Sequence, residues 1–326
     1  MNIKFINPFK NNEDLFLEKD GLKDREGKII FPIIAGACRV LENTNNYTDN
    51  FGFQWNKFTK TQIDSKNENT SQSTVRFFTQ TNWDKENLSN KKILEVGSGA
   101  GRFSQVVLDN TVANLYSVDY SSAVEANFKN NGHHIDRFKL FQASVYEMPF
   151  AKAQFDKVFC FGVLQHTPNI EETIKSLISM VKPGGELVVD FYEIKGWWTK
   201  ICAKYILRPF VKKWSDERLF NKIEKNIDWM IKFYKFLFKI KLGFLTRFIP
   251  IVDIYGTFPK NLTPTQLREW CVLDTFDMFS PEYDQPQRIS TITKYLNKYG
   301  MQNVWGGQIN VKGCMTAVVK GSIKTN

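Results

Sequence analysis

Residues 91–104 read KKILEVGSGAGRFS. An apolar, strand-like run meets three glycines and passes into a helix-like segment, RFSQVVLDN. Turns of this kind hold nucleotides. A dinucleotide turn needs G-x-G-x-x-G, whose third glycine lets the helix pack on the strand while the helix N-terminus takes the pyrophosphate. Here Gly97 and Gly99 fit, but the third position is Arg102, and the spacing is G-x-G-x-G through Gly101. The strand also carries an acid, Glu95, two residues before the first glycine. A carboxylate there repels a pyrophosphate and suits a ligand that bears an ammonium group.

Outward from this turn, strands and helices alternate. NLYSVDY, FKLFQAS, DKVFCFGVL and GELVVDFYE read as strands, with helices at SAVEANFKNN and IEETIKSLISMV. KPGG at 182–185 stops the second of these. The pattern resumes with a helix near 287–299 and two closing strands, QNVWGGQI and CMTAVVK. Such alternation predicts an α/β, doubly wound, mostly parallel sheet with helices on both faces. The chain has 326 residues, 42% of them apolar, enough for a sizeable core with insertions. Its five cysteines form no C-x-x-C pair, which argues against a disulfide framework or a zinc ribbon. MNIKFINPFKNNEDLF has no apolar signal region, and no apolar run approaches a membrane span. A cytoplasmic location is expected.

Five pieces in order resemble class I S-adenosylmethionine (SAM) dependent methyltransferases. They are EVGSGAG; YSVDYS, ending a strand at Asp119; QASVYEMPF; FDKVFCFGVLQHTPN; and VKPGGELVV. The likeness is dense over 91–192 and weak over 287–320. It implies SAM as cofactor. It implies that Glu95, Gly97, Ser98, Gly99, Asp119, Tyr120, Ser144, Val145 and Phe161 bind it, with Asp119 accepting both ribose hydroxyls. Two positions depart from the family. Ser144 stands where an acid often faces the adenine amino group, and Asn169 replaces the usual acid after H-T-P.

Methyl transfer from a sulfonium needs alignment more than activation, although an oxygen or nitrogen acceptor also needs a base. His166 follows the fourth core strand; it reads either as that base or as a residue packed over the cofactor. VLDTFDMFSPEYDQPQ, 272–287, reads as a Pro-punctuated loop that either closes over the acceptor, with Asp274, Asp277, Glu282, Tyr283 and Asp284, or is a solvated loop; Asp277 and Tyr283 are further catalytic candidates. No metal is expected. FGFQWNKF at 51–58 reads as a lid or as an aromatic core helix, and Trp55 is its candidate for a cation–π contact with the sulfonium.

DGLKDREGKIIFPIIAGACRVL, within residues 1–45, resembles the zinc-ribbon-like leader of some methyltransferases. Without the cysteine pairs, the expectation is a short β-rich leader without metal. Residues 46–195 then form the SAM-binding core with its lid. Residues 259–326 supply the acceptor-side loop and closing strands. Between them lies a basic, aromatic, helical insertion, 196–258. From Gly196 to Ile251 there are thirteen Lys or Arg against four Asp or Glu, so nearly the whole net charge of +10 is local. Three readings of the insertion are open: a helical lid and homodimer contact, a peripheral seat on the inner membrane surface, or a grip on a phosphorylated or nucleic-acid substrate. The chain has GVLQHTP where base-amino methyltransferases carry an N-P-P-Y type motif, which weighs against nucleic acid. The expected acceptor is a small molecule, sugar or lipid-linked hydroxyl; the alternatives are RNA methylation and non-catalytic SAM binding.

Overall fold

Alternation in the sequence becomes one twelve-stranded sheet in the computed structural model, which describes residues 3–42, 46–66, 71–83, 85 and 88–325. Five strands precede the glycine turn: β1 (Phe5–Ile6), β2 (Asp14–Glu18), β3 (Gly21–Lys23), β4 (Ile29–Ile34) and β5 (Ala37–Val40). The next five are β6 (Lys92–Val96), β7 (Asn114–Asp119), β8 (Phe138–Ala143), β9 (Phe155–Cys160) and β10 (Val181–Phe191). β11 (Gln302–Val311) and β12 (Cys314–Ser322) close the chain. The spatial order is β1-β2-β3-β4-β5-β8-β7-β6-β9-β10-β12-β11. Pairing is parallel from β5 through β10 and antiparallel at both flanks. The order reverses between β6 and β9, and the carboxyl ends of such strands frame a crevice.

The helices are α1 (Asp49–Lys57), α2 (Gln72–Thr81), α3 (Arg102–Asn110), α4 (Val124–Asn131), α5 (Ile170–Met180), α6 (Ala203–Val211), α7 (Asp216–Lys239), α8 (Ile254–Thr257), α9 (Pro264–Phe279) and α10 (Ile289–Lys298). Ile93 of β6 packs with Val107 of α3 and Phe77 of α2, while Leu94 beside it packs with Leu177 of α5 and Leu296 of α10. Both faces of the central strands are therefore covered, which is why ILEV is apolar with little alternation. Asn169, the departure after H-T-P, caps α5: its side chain accepts from Glu172 N at 3.1 Å.

The leader joins this sheet directly, since β5 runs parallel to β8 with Cys38 opposite Phe141. Cys38 is buried, and burial raises its thiol pKa to about 12.

The insertion and α9 share a third core. Leu219, Ile223, Ile227, Met230, Tyr234 and Leu237 of α7 meet Trp270, Val272 and Phe276 of α9. One expectation changes here. Residues 272–287 are not one loop, because a Thr263–Gln266 capping box and Pro264 start a helix that runs to Phe279. On α7 one stripe is buried, while Trp229, Phe233 and Phe236 stay exposed.

Candidate active site

A cavity of about 610 Å³ opens where the strand order reverses, walled by the turn after β6 and by Phe161–Val163 after β9. Gly97, Gly99 and Gly101 have φ of +81°, +52° and +84°, a region other residues enter with strain. A Cβ on Gly97 would lie 2.1 Å from Val163 Cγ2, and one on Gly101 would lie 2.2 Å from Asn127 Oδ1. The G-x-G-x-G spacing thus serves the backbone path and helix packing.

Asp119 ends β7 on the cavity wall. One carboxylate oxygen accepts from Gly99 N at 2.7 Å, the other from Ser121 N at 2.8 Å. These bonds fix the carboxylate and lower its pKa, but desolvation wins and the pKa is raised. Trp55, on α1, lies against the glycine turn: a Cβ on Gly99 would be 3.0 Å from its Nε1. Ser98, Tyr120, Val145 and Phe161 also line the cavity. Two buried polar atoms here, Ser98 Oγ and Gln54 Oε1, have no hydrogen-bond partner. Unpartnered buried polar atoms facing a cavity fit a polar ligand there.

Three sequence candidates stand off the wall. Glu95 lies behind the turn, where its Oε2 accepts from Ser104 Oγ at 2.5 Å and Ser117 Oγ at 2.6 Å. Burial pushes its pKa up to about 7. It ties β6, α3 and β7 together instead of facing the cavity. The Ser144 hydroxyl accepts from Tyr146 N at 3.2 Å, and Ala143 and Val145 line the wall on either side of it. The Tyr283 ring packs on Tyr47; what Tyr283 gives the site is its carbonyl oxygen.

That carbonyl lies 2.9 Å from His166 Nδ1. A carbonyl only accepts, so Nδ1 carries the proton and Nε2 is the lone-pair nitrogen of the neutral ring. Desolvation lowers the pKa of His166, outweighing the opposing pull of Asp277. The imidazole sits between Phe51, 5.1 Å away by centroid, and Tyr192, 5.6 Å away. Tyr192 donates to Asp277 Oδ2 at 2.9 Å.

Beyond this group lies a polar network of which the sequence reading named only Asp274 and Asp284 as candidates. Arg102 donates to Gln62 Oε1 at 2.5 Å, and Gln62 donates to Asp274 Oδ1 at 3.0 Å. Arg76 pairs with Asp190 at 2.5 Å. Desolvation and the neighbouring Asp277 push Asp274 up to about 7, and desolvation lowers Arg102 to about 10. Lys204 pairs with the fully buried side chain of Asp284. The Trp270 indole N–H is buried on the wall without a partner. Arg102 had one visible signal, its seat at the missing third glycine. Asp274 and Asp277 are spaced for one helix face. Gln62, Arg76, Lys204 and Trp270 come from distant segments that carry no motif.

Outside the cavity, Asp109, His133 and His134 bring their ligand atoms within 4.8 Å of one another at the surface. This is the one such grouping among the described residues.

Residues 94–189 match the family model described as "Methyltransferase domain". Over these residues the chain carries a methyltransferase domain. A tRNA U34 carboxymethyltransferase from Nautilia profundicola is 34% identical over 113 residues, 34% of this chain and 37% of that protein. A ubiquinone biosynthesis O-methyltransferase from Pseudomonas fluorescens is 30% identical over 115 residues, 33% of this chain and 48% of that protein. The chain therefore spans less than half the length of these curated relatives. Magnesium protoporphyrin IX methyltransferase from Synechocystis, solved with bound SAH, aligns with a TM-score of 0.47 at 15% identity, over 85% of this chain and 97% of that one. The family-model match spans the glycine turn, Asp119 and His166, while the insertion and α9 lie outside it.

Proposed function

We propose that this chain transfers a methyl group from SAM to a hydroxyl of a small-molecule, sugar or lipid-linked acceptor, with His166 as the base. The observation that carries the proposal is the His166 imidazole, held neutral with Nε2 unprotonated on the wall of the same cavity as the glycine turn and Asp119. SAM, when bound, supplies a methyl group already activated on a sulfonium.

The chain's own residues do the rest. Asp119 holds the ribose hydroxyls; its Oδ2 takes only Gly99 N and keeps acceptor capacity, while Oδ1 is anchored by the Ser121 N–H and hydroxyl. Trp55 and the glycine turn bound the methionine end and offer an aromatic face to positive charge. Phe51, Phe161 and Val163 keep water from this part of the cavity. His166 Nε2 takes the acceptor proton while the Tyr283 carbonyl holds Nδ1–H in place. The Asp274, Gln62 and Arg102 network presents donors and acceptors that suit a polyhydroxylated acceptor.

Calorimetric titration with SAM tests the cofactor half: micromolar-range binding lost in Asp119→Ala is expected. Transfer of labelled methyl to sugars and lipid-linked sugars, abolished in His166→Asn while SAM still binds, tests the catalytic half. Absence of SAM binding by the folded wild type overturns the reading. RNA methylation is the second reading, favoured by the basic insertion and by the tRNA-modifying relatives. Labelled methyl in RNA and none in the acceptors above would replace the first reading with it.

A further inference from the structure

The most unusual surface of the molecule is the insertion. Among the described residues it holds fourteen of the twenty-three exposed large apolar side chains, although it is less than a fifth of the chain. Trp197 is 79% exposed, Phe210 70% and Phe244 69%. On α7 the exposed apolar side chains, Phe238 apart, are ordered. Trp229, Phe233, Phe236 and Ile240 are three or four residues apart and so share one stripe, beside the buried stripe rather than within it. Lys225, Lys232 and Lys239 repeat every seven residues and form an exposed stripe on the other side of the aromatic one. Arg247, in the turn Gly243–Phe248 that packs on α7, donates to the Trp198 carbonyl at 2.6 Å and so ties the exposed Trp197–Trp198 segment to the end of α7. No helix among the described residues is long and apolar enough to cross a membrane.

We propose that this surface seats the protein on an anionic bilayer, with the aromatic side chains in the acyl boundary and the lysines at the headgroups. Three observations choose that occupant. A two-fold contact with a second copy would set this patch against itself, and the segment Gly196 to Ile251 that bears it carries thirteen cations, all but Lys204 and Arg208 outside the buried set, against four anions. An anionic bilayer has the complementary sign. A nucleic acid would answer the lysines, yet the aliphatic Ile201, Ile206, Ile240 and Leu242 are exposed as well, and base stacking makes no use of them. Aromatic side chains beside lysines are what an interfacial helix presents. The cavity meets the surface here too: Thr199, Cys202 and Arg247 line it between Trp197–Trp198 and Phe248. This inference uses the outer surface alone and stands whether or not the cavity transfers methyl groups.

The test is sedimentation of the full chain with vesicles containing phosphatidylglycerol, against vesicles of phosphatidylcholine alone. Binding about tenfold or more tighter to the anionic vesicles is expected. The combined variant Trp229→Ser, Phe233→Ser, Phe236→Ser loses about tenfold or more of it, and Lys225→Glu, Lys232→Glu, Lys239→Glu loses the preference for anionic lipid. Brominated lipid quenches the wild-type tryptophan fluorescence, and Trp197→Phe with Trp198→Phe reduces the quenching. Unchanged far-UV circular dichroism and SAM titration in the variants exclude unfolding. Vesicle binding that ignores the serine substitutions and shows no quenching overturns the proposal. So does a dimer, or an RNA complex, that the same substitutions abolish while the wild type leaves vesicles alone.

Discussion

The two ends of the cavity are assembled from different kinds of sequence. The glycine-turn end comes mainly from one stretch, Val96 to Val163, at the carboxyl ends of parallel strands, with Phe51, Gln54 and Trp55 added from α1. The far end gathers Gln62, Arg76, Tyr192, Lys204, Arg247, Trp270, Asp274 and Asp277 from widely separated segments. At the first end, backbone shape does most of the work, through positive-φ glycines and N–H groups aimed at Asp119. At the second, charged and polar side chains hold one another through ion pairs and hydrogen bonds. The first end suits a ligand common to many proteins, and the second is free to vary with the acceptor.

This contrast makes separable predictions. The largest concerns the residue at the junction. His166→Asn lowers the transfer rate by about 10²–10⁴-fold and leaves SAM affinity unchanged, as kinetics and calorimetry together would show. The pH profile should agree. Because desolvation lowers the His166 pKa from its ordinary 6.5, the wild-type rate falls only as pH drops below that value, and the variant lacks this limb. A comparable loss of affinity in His166→Asn would merge the two ends into one binding unit.

Next come stability effects, expected at the far end. Lys204→Met leaves the Asp284 carboxylate buried without its cation and destabilises the fold by about 3–5 kcal/mol in urea unfolding. Asp119→Ala, at the near end, lowers SAM affinity by about 100-fold through two lost charge-assisted hydrogen bonds. A still larger loss of fold stability in Asp119→Ala would break the division, since Asp119 would then be holding the turn more than the ligand.

Asp274→Asn is read through pH. The folded pKa of Asp274 is raised from 3.8 to about 7, so the folded state binds this proton more tightly than the unfolded chain between those values. Its contribution to stability is therefore full at low pH, declines as pH rises from about 4 to about 7, and is flat above. The asparagine variant flattens that slope in part, leaving the component from Glu95, raised from 4.5 to about 7. Unfolding free energies at several pH values check the difference. The smallest effect is at the lid: Trp55→Ala weakens SAM binding by about fivefold, through loss of its aromatic face.

The near end was legible because its chemistry is local. KKILEVGSGAG, the strand ending at Asp119 and the turn before His166 each carry their reading within a few residues. Glu95 shows where local reading stops. It occupies the expected position, yet in this strand its side chain turns to Ser104 and Ser117, behind the turn. Tyr283 contributes a carbonyl rather than its phenol, which no side-chain pattern announces. The stretch 272–287 read as a loop from its acids and prolines, while the capping box at Thr263, ahead of it, decided for helix as far as Phe279.

The sequence by itself determined the doubly wound sheet, the glycine turn, Asp119 and the basic insertion, because strand–helix alternation, glycine spacing and charge are properties of neighbouring residues. Only the tertiary structure decided that Arg102, Gln62 and Asp274 form one network, that Asp284 neutralises Lys204, and that one flank of α7 is left bare. Those outcomes depend on which remote segments come within a few ångströms of each other. Packing of α7 and α9 against α1 sets that proximity, and no local pattern in the chain encodes it.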